Sequence, residues 1–298
     1  MLLGYIHHKV RTTPWLGRMV LKSIPNMKWH LRVEPVGSFT VRLREHRMFW
    51  LRPALDHEGF MLGALQRLIR REDVVYDVGA NIGLYSRFIV QCFHAAHVFA
   101  FEPFESNRRL LQENVEAGDC KGHVTVIPCA IGERDGLADF QVDDLTSNTG
   151  RLDAVAHGAP SESRRQYGLR PVVTRVPIHR IDTLIESKGI AVPDVVKIDV
   201  EGAEAMALRG ACHLLSTHKP RLVVELHGAE VSCQVLDMLW RCGYHCYGRL
   251  AANDMCVYKE IVPADLEAIA QRYSLSYIAA SVNREEVAEP IDDFHPGT

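Results

Sequence analysis

No C-x-x-C pair occurs among the eight cysteines, which removes the thioredoxin-like redox motif and the usual paired-cysteine zinc modules. Cys242, His245 and Cys246 stand close enough to suggest zinc, but core residues of a late strand account for them better. No apolar stretch approaches the roughly 18 residues that a membrane span requires. Neither charge is in excess: 34 Lys and Arg against 37 Asp and Glu leave −3, so nothing points to nucleic acid as a partner. The opening MLLGYIHHKVRTTPW places basic residues where an export signal needs its apolar core. A reduced, cytoplasmic chain with buried thiols is the expectation. No internal repeat is present.

Acids are missing altogether from residues 1–33, which hold Lys9, Arg11, Arg18, Lys22, Lys28 and Arg32. Leu16, Met19, Val20 and Ile24 fall near helical spacing, so a basic amphipathic helix is expected. Such a helix suits either peripheral contact with an anionic membrane or packing on the sheet or on a second copy in a homo-oligomer; packing is the simpler reading.

What is present is a core-forming composition, 47% hydrophobic, arranged in α/β alternation. Strands are expected at Val74–Val78, Val98–Phe101 and Val124–Ile127, with helices over Ile82–His94 and Glu105–Ala117 between them. Further strands fall at Leu137–Val142, Val172–Ile178, Val195–Val200 and Arg221–Leu226, and a closing antiparallel hairpin at Tyr244–Gly248 and Met255–Lys259. Short links between alternating elements imply a mostly parallel sheet with right-handed crossovers. The Ser-, Gly- and Arg-rich stretch Asp143–Pro171 is long for an idle connection and reads as a lid or as disorder.

The chain is organised around Val74–Ser86, VVYDVGANIGLYS, a strand, a Gly-rich turn and a helix start. The turn reads D-x-G-x-N-x-G rather than G-x-G-x-x-G, and an acid at the strand tip repels the pyrophosphate that the latter binds. Asp77 suits instead a ligand with an ammonium and a sulfonium, as in S-adenosylmethionine. Glu102 ends the next strand nineteen residues beyond Gly83, about where an acid grips a ribose diol.

A second polar cluster interrupts strands that should be continuously apolar. Lys197 and Asp199 share one face of the fourth core strand, and Glu225 and His227 one face of the fifth. The sparing assignment pairs Lys197 with Glu225 and leaves Asp199 and His227 at the crevice. Asp199 then serves in catalysis, as a metal ligand or as a helix cap. Glu201 and Glu204 crowd the same turn, where they either join the site or complement a helix dipole.

VVYDVGANIGLYS, FAFEP, C-A-I-G, VPIHRIDTL, KIDVEGAE and LVVELH stand in the order and spacing of FkbM-type methyltransferases, and the chain resembles that family from about Val74 to His227. The resemblance implies a class I methyltransferase, Rossmann-like sheet over residues 61–262, with an insertion at about 143–171. It leaves an N-terminal extension over 1–60 and a C-terminal helix and acidic tail over 263–298. It implies that Asp77, Gly79, Asn81, Gly83 and Glu102 bind S-adenosylmethionine, with Ala130 and Ile131 near the adenine. It also implies O-methylation of a hydroxyl on a sugar, polyketide or other secondary metabolite, thus a small-molecule or glycan acceptor. Deprotonation of that hydroxyl falls to His227 or Asp199, with Glu201 holding another hydroxyl; ligation of a divalent ion by the three is the lesser alternative. Two rival classes share the sheet. A nicotinamide-dependent oxidoreductase needs a different turn, and an idle adaptor has no use for Asp77, Glu102 and Asp199.

Overall fold

Val74, Val75 and Tyr76 favour extended backbone, and their side chains alternate into two apolar layers, so a buried strand forms here and the main sheet is laid down on both sides of it. In the computed structural model, residues 13–51, 58–155, 164, 167–252, 255–271, 274–288 and 291 are described. A hairpin comes first, β1 (Lys28–Val33) and β2 (Gly37–Arg42), paired antiparallel. The alternating series β3 (Val74–Val78), β4 (His97–Phe101) and β5 (Val124–Ile127) follows, with helices Leu84–Gln91 and Glu105–Ala117 between its strands. A separate sheet is built from β6 (Ala130–Ile131), β7 (Gly136–Asp143), β8 (Thr146–Leu152) and β9 (Pro171–His179), in the order β6-β9-β7-β8. β10 (Val195–Ile198) and β11 (Arg221–Glu225) return to the main sheet, which β12 (His245–Ala252), β13 (Met255–Ile261) and β14 (Ser274–Ser281) complete.

The main sheet has the order β13-β12-β14-β11-β10-β3-β4-β5, and its middle, β11 to β5, is parallel. The chain runs outward from β3 through β4 to β5, then crosses back to β10 on the other side of β3. That reversal opens a crevice beyond the carboxyl ends of β3 and β10, the usual ligand position in such sheets. One face is covered by helices Gly59–Leu68, Leu84–Gln91 and Glu105–Ala117, the other by Ile181–Lys188, Glu204–Arg209 and Ala229–Arg241.

The C-terminal stretch departs from the helix and tail expected over 263–298. β14 inserts antiparallel between β11 and β12, with Ile278, Ala279 and Ala280 wholly buried. Its sequence, SLSYIAAS, has small helix-tolerant residues in place of a β-branched run, so local preference conceals a strand that tertiary pairing imposes. Glu289, Asp292 and Asp293 of the expected tail lie outside the described residues. The helical stretch after β10 is split into Glu204–Arg209 and a wider turn, Leu214–His218. Between them Gly210 passes so close to Gly132 that a Cβ would lie 2.0 Å from its carbonyl oxygen.

The insertion is in part a strand. β8 pairs antiparallel with β7, and Arg164 bonds Asp143 at 2.5 Å; residues 156–163 and 165–166, where the rest of the expected lid falls, lie outside the described residues. The N-terminal helix forms over Pro14–Ser23 and turns Gly17 and Leu21 inward. Its Arg18 pairs with Asp144 and donates to the Gly168 carbonyl at 2.7 Å, which fixes the helix to the insertion. Residues 1–12, with Lys9 and Arg11, lie outside the described residues. No helix among the described residues is long and apolar enough to cross a membrane. Around the suspected zinc position, Cys246 is buried and His245 Nδ1 engages Glu260 at 3.0 Å.

Candidate active site

Parallel pairing of β10 with β3 sets Lys197 directly beside Asp77. Both side chains are fully buried, and their charged atoms meet at 3.0 Å. The ammonium also donates to the Gly79 carbonyl at 3.0 Å, and the Ser86 hydroxyl donates to Asp77 at 2.7 Å. This corrects the expected Lys197–Glu225 bridge: opposite Lys197 on β11 stands Val223, and Glu225 lies a pleat further on, bonded by the Tyr277 hydroxyl at 3.2 Å. Asp77, expected at the cofactor, is thereby paired with Lys197, and the two clamp the strand tips together. Burial lowers the Lys197 pKa, but the adjacent Asp77 and Asp199 outweigh it and the group is raised overall.

The clamp explains the first glycine of the turn. Gly79 has φ +80°, and a Cβ there would stand 1.8 Å from the Asp199 carbonyl oxygen. Its lack of a side chain therefore serves the closure of one strand tip on another. Gly83, at φ +87°, caps the helix Leu84–Gln91 against Leu111 and contributes nothing to the cavity walls.

Two cavities open at the carboxyl ends of the strands. The first is lined by Gly79, Asn81, Glu102, Ala130, Ile131 and Asp199, with Leu152 of the insertion. Five of the seven residues expected at the cofactor are thus brought together. Glu102 accepts the Asn81 and Phe104 amide protons at 2.9 and 2.8 Å, one on each carboxylate oxygen. Burial pushes its pKa up to about 7 in spite of those bonds. The Asn81 Oδ1 is buried with no protein partner, an acceptor aimed at something the chain does not supply.

The second cavity shares Gly79, Asn81, Asp199 and Glu201 with the first and extends to Phe49, Glu58, Tyr85, Glu225 and Tyr277. Glu58 is held by the Tyr85 hydroxyl. Glu58 and Tyr277 carry no sequence motif; proximity in the fold is what gathers them with Tyr85 of the VVYDVGANIGLYS stretch. Glu201 sits at φ 51°, a conformation unfavourable to a side chain of its size and a mark of functional strain. Burial raises Glu201 to about 7, the Asp199 charge adding to it against the opposing His227, while the third of the side chain still exposed admits some screening. Burial and the Asp199 charge raise Glu225 to about 8.

His227 stands beside the second cavity, with Nδ1 2.8 Å from Glu204 and Nε2 3.7 Å from both Glu201 and Glu225. Burial would lower its pKa, but the bond to buried Glu204 and the charge of Glu201 carry it up to about 10. Among the described residues, Asp199, Glu225 and His227 form a group whose ligating atoms lie within 4.8 Å of one another, close enough for a metal ion.

Residues 77–246 match the family model described as the methyltransferase FkbM domain. Hexuronic acid methyltransferase AglP of Haloferax volcanii is 30% identical over 203 residues, covering 68% of this chain and 75% of its own length. 31-O-demethyl-FK506 methyltransferase FkbM of Streptomyces tacrolimicus is 28% identical over 182 residues, 54% of this chain and 68% of its own. A solved structure of methyltransferase FkbM from Methylobacillus flagellatus is similar at 19% identity and TM-score 0.43, over 70% of this chain and 43% of that one. A mixed α/β sheet with its crevice at the β3–β10 reversal and a matched catalytic domain define an enzyme that transfers methyl groups. The chain belongs to the FkbM methyltransferase family. The nicotinamide and adaptor readings are set aside.

Proposed function

We propose that the enzyme moves a methyl group from S-adenosylmethionine to a hydroxyl of a polyhydroxylated small molecule, with the donor in the first cavity and the acceptor in the second. The observation that carries this reading is the meeting of the two cavities at Gly79, Asn81, Asp199 and Glu201. The residues fit the donor. Glu102 has lone pairs left for two ribose hydroxyls, Ala130 and Ile131 form an apolar slot for adenine, and the unpartnered Asn81 Oδ1 accepts from an ammonium. When bound, the donor supplies an electrophilic methyl on a good leaving group, so the protein's work is alignment and exclusion of water.

Carboxylates and aromatic rings suit a hydroxyl-rich acceptor, and relatives of this chain are named for a hexuronic acid and for FK506. His227 is already protonated near neutral pH and cannot take the acceptor's proton. Glu201, which borders both cavities, takes it; Asp199 orients the hydroxyl, and protonated His227 keeps Glu201 ionised. A general base with a pKa near the working pH is the efficient choice. Incubating the protein and S-adenosylmethionine with a metabolite extract should yield a product heavier by one methyl. Glu201→Gln should lower kcat by about 10²–10⁴-fold and remove the rise in rate through about pH 7. Wild-type turnover in that variant removes Glu201 as the base.

A further inference from the structure

The second cavity has a charge bias that methyl transfer alone does not require. Its ionisable acids are Glu58, Asp199, Glu201 and Glu225, and no Lys, Arg or His is among the described residues that line it. Asp199 and Glu201 also border the first cavity, but Glu58 and Glu225 face the second alone. Of the described cations that act on these acids, Arg151 acts on Glu201 without lining this cavity, and Lys197 and His227 are committed. Lys197 is bound to Asp77 at 3.0 Å, and His227 is bound to Glu204 at 2.8 Å and is shared at 3.7 Å between Glu201 and Glu225. Glu58 and Glu225 each receive a phenol proton, from Tyr85 and Tyr277, which satisfies a lone pair without balancing a charge. Phe49, Tyr85 and Tyr277 complete the wall, and the Tyr85 ring already faces a cation, the Lys197 ammonium at 4.7 Å from its centre.

On the reading of this cavity as the acceptor site, we propose that the acceptor carries a protonated amine near the hydroxyl to be methylated, paired with Glu58 and Glu225 and set against the Phe49 and Tyr277 rings. Amino sugars and similar amino alcohols are the substrate class. A uronic acid is the class disfavoured, because its carboxylate would meet no cation among the described residues that line this cavity.

The test uses the full chain saturated with S-adenosylhomocysteine and titrates it by calorimetry with methyl glucosaminide, methyl glucoside and methyl glucuronide. These pyranosides have one shape and carry positive, zero and negative charge. The glucosaminide should bind about tenfold or more tighter than the glucuronide, and Glu58→Gln and Glu225→Gln should each erode that preference without weakening S-adenosylhomocysteine. Equal or tighter binding of the glucuronide, a preference untouched by both substitutions, or binding of none of the three overturns the proposal. A preference abolished by Mn²⁺ assigns the carboxylates to a metal ion and overturns it as well. Lack of S-adenosylhomocysteine binding in the same titration instead marks failure of the donor reading, on which this one stands.

Discussion

Asp77 and Lys197 neutralise each other in a place water does not reach, so each makes the other tolerable. Removing one partner of such a pair strands a buried charge, and Lys197→Met should cost about 3–5 kcal/mol in urea unfolding. A loss under about 1 kcal/mol, the value of an exposed pair, contradicts the clamp. Glu225 presents the opposite case. It is raised to about 8 in the fold but ionises near 4.3 in an unfolded chain, so between those values the native state holds a proton that the unfolded chain has released. Stability therefore falls as pH rises through that window, and Glu225→Gln relieves the fall. The Tm gain of this variant should grow from about pH 5 to about pH 8.5; a gain that is flat or shrinks contradicts the assignment. The acids themselves are legible in the sequence, because polar residues at the ends of apolar strands have few other uses. Their partners are not legible. Whether Lys197 reaches Asp77 or Glu225 depends on which strand lies on which side of β10 and in what register, and crossovers of many residues decide both. The strain at Glu201 is equally silent in the sequence, since glutamate gives no warning of a left-handed backbone.

At the scale of elements, the turn after β3 and the turn after β10 form one structure, locked where Gly79 meets the Asp199 carbonyl. Gly79→Ala puts a methyl 1.8 Å from that oxygen at a φ of +80°, and no flexible side chain is there to yield. The variant should lose about 1–3 kcal/mol of stability and bind donor at least tenfold more weakly, as thermal melts and calorimetry would show. Donor affinity equal to the parent's would mean that the two turns are independent. Elements with strong periodicity are read correctly from sequence: Glu105–Ala117 and Val124–Ile127 form over the expected residues. β14 is missed because its Ala-rich run has no strand signal of its own. β8 is missed because Ser, Asn, Thr and Gly obscure an alternation that pairing with β7 alone makes real.

Over the whole molecule, the reversal of the chain's course between the parallel neighbours β3 and β10 decides where chemistry occurs, and elements added to the core bear on that crevice. The insertion supplies Leu152 to the first cavity, and the N-terminal helix supports the insertion through Arg18. Three of the basic residues that suggest a membrane-docking arm are thus engaged within the chain, Arg18 with Asp144, Lys28 with Glu113 and Arg32 with Glu34. On the Pro14–Ser23 helix Gly17 and Leu21 face inward, while Trp15 and Met19 are exposed. The central claim is that the first cavity holds an adenosyl donor gripped by Glu102. Calorimetric titration of S-adenosylmethionine into the wild type, Glu102→Ala and Glu58→Gln tests it most directly. The account predicts saturable binding of a single donor, weakened about tenfold or more by Glu102→Ala and kept by Glu58→Gln. Absence of binding, or equal affinity in the Glu102→Ala variant, would contradict it.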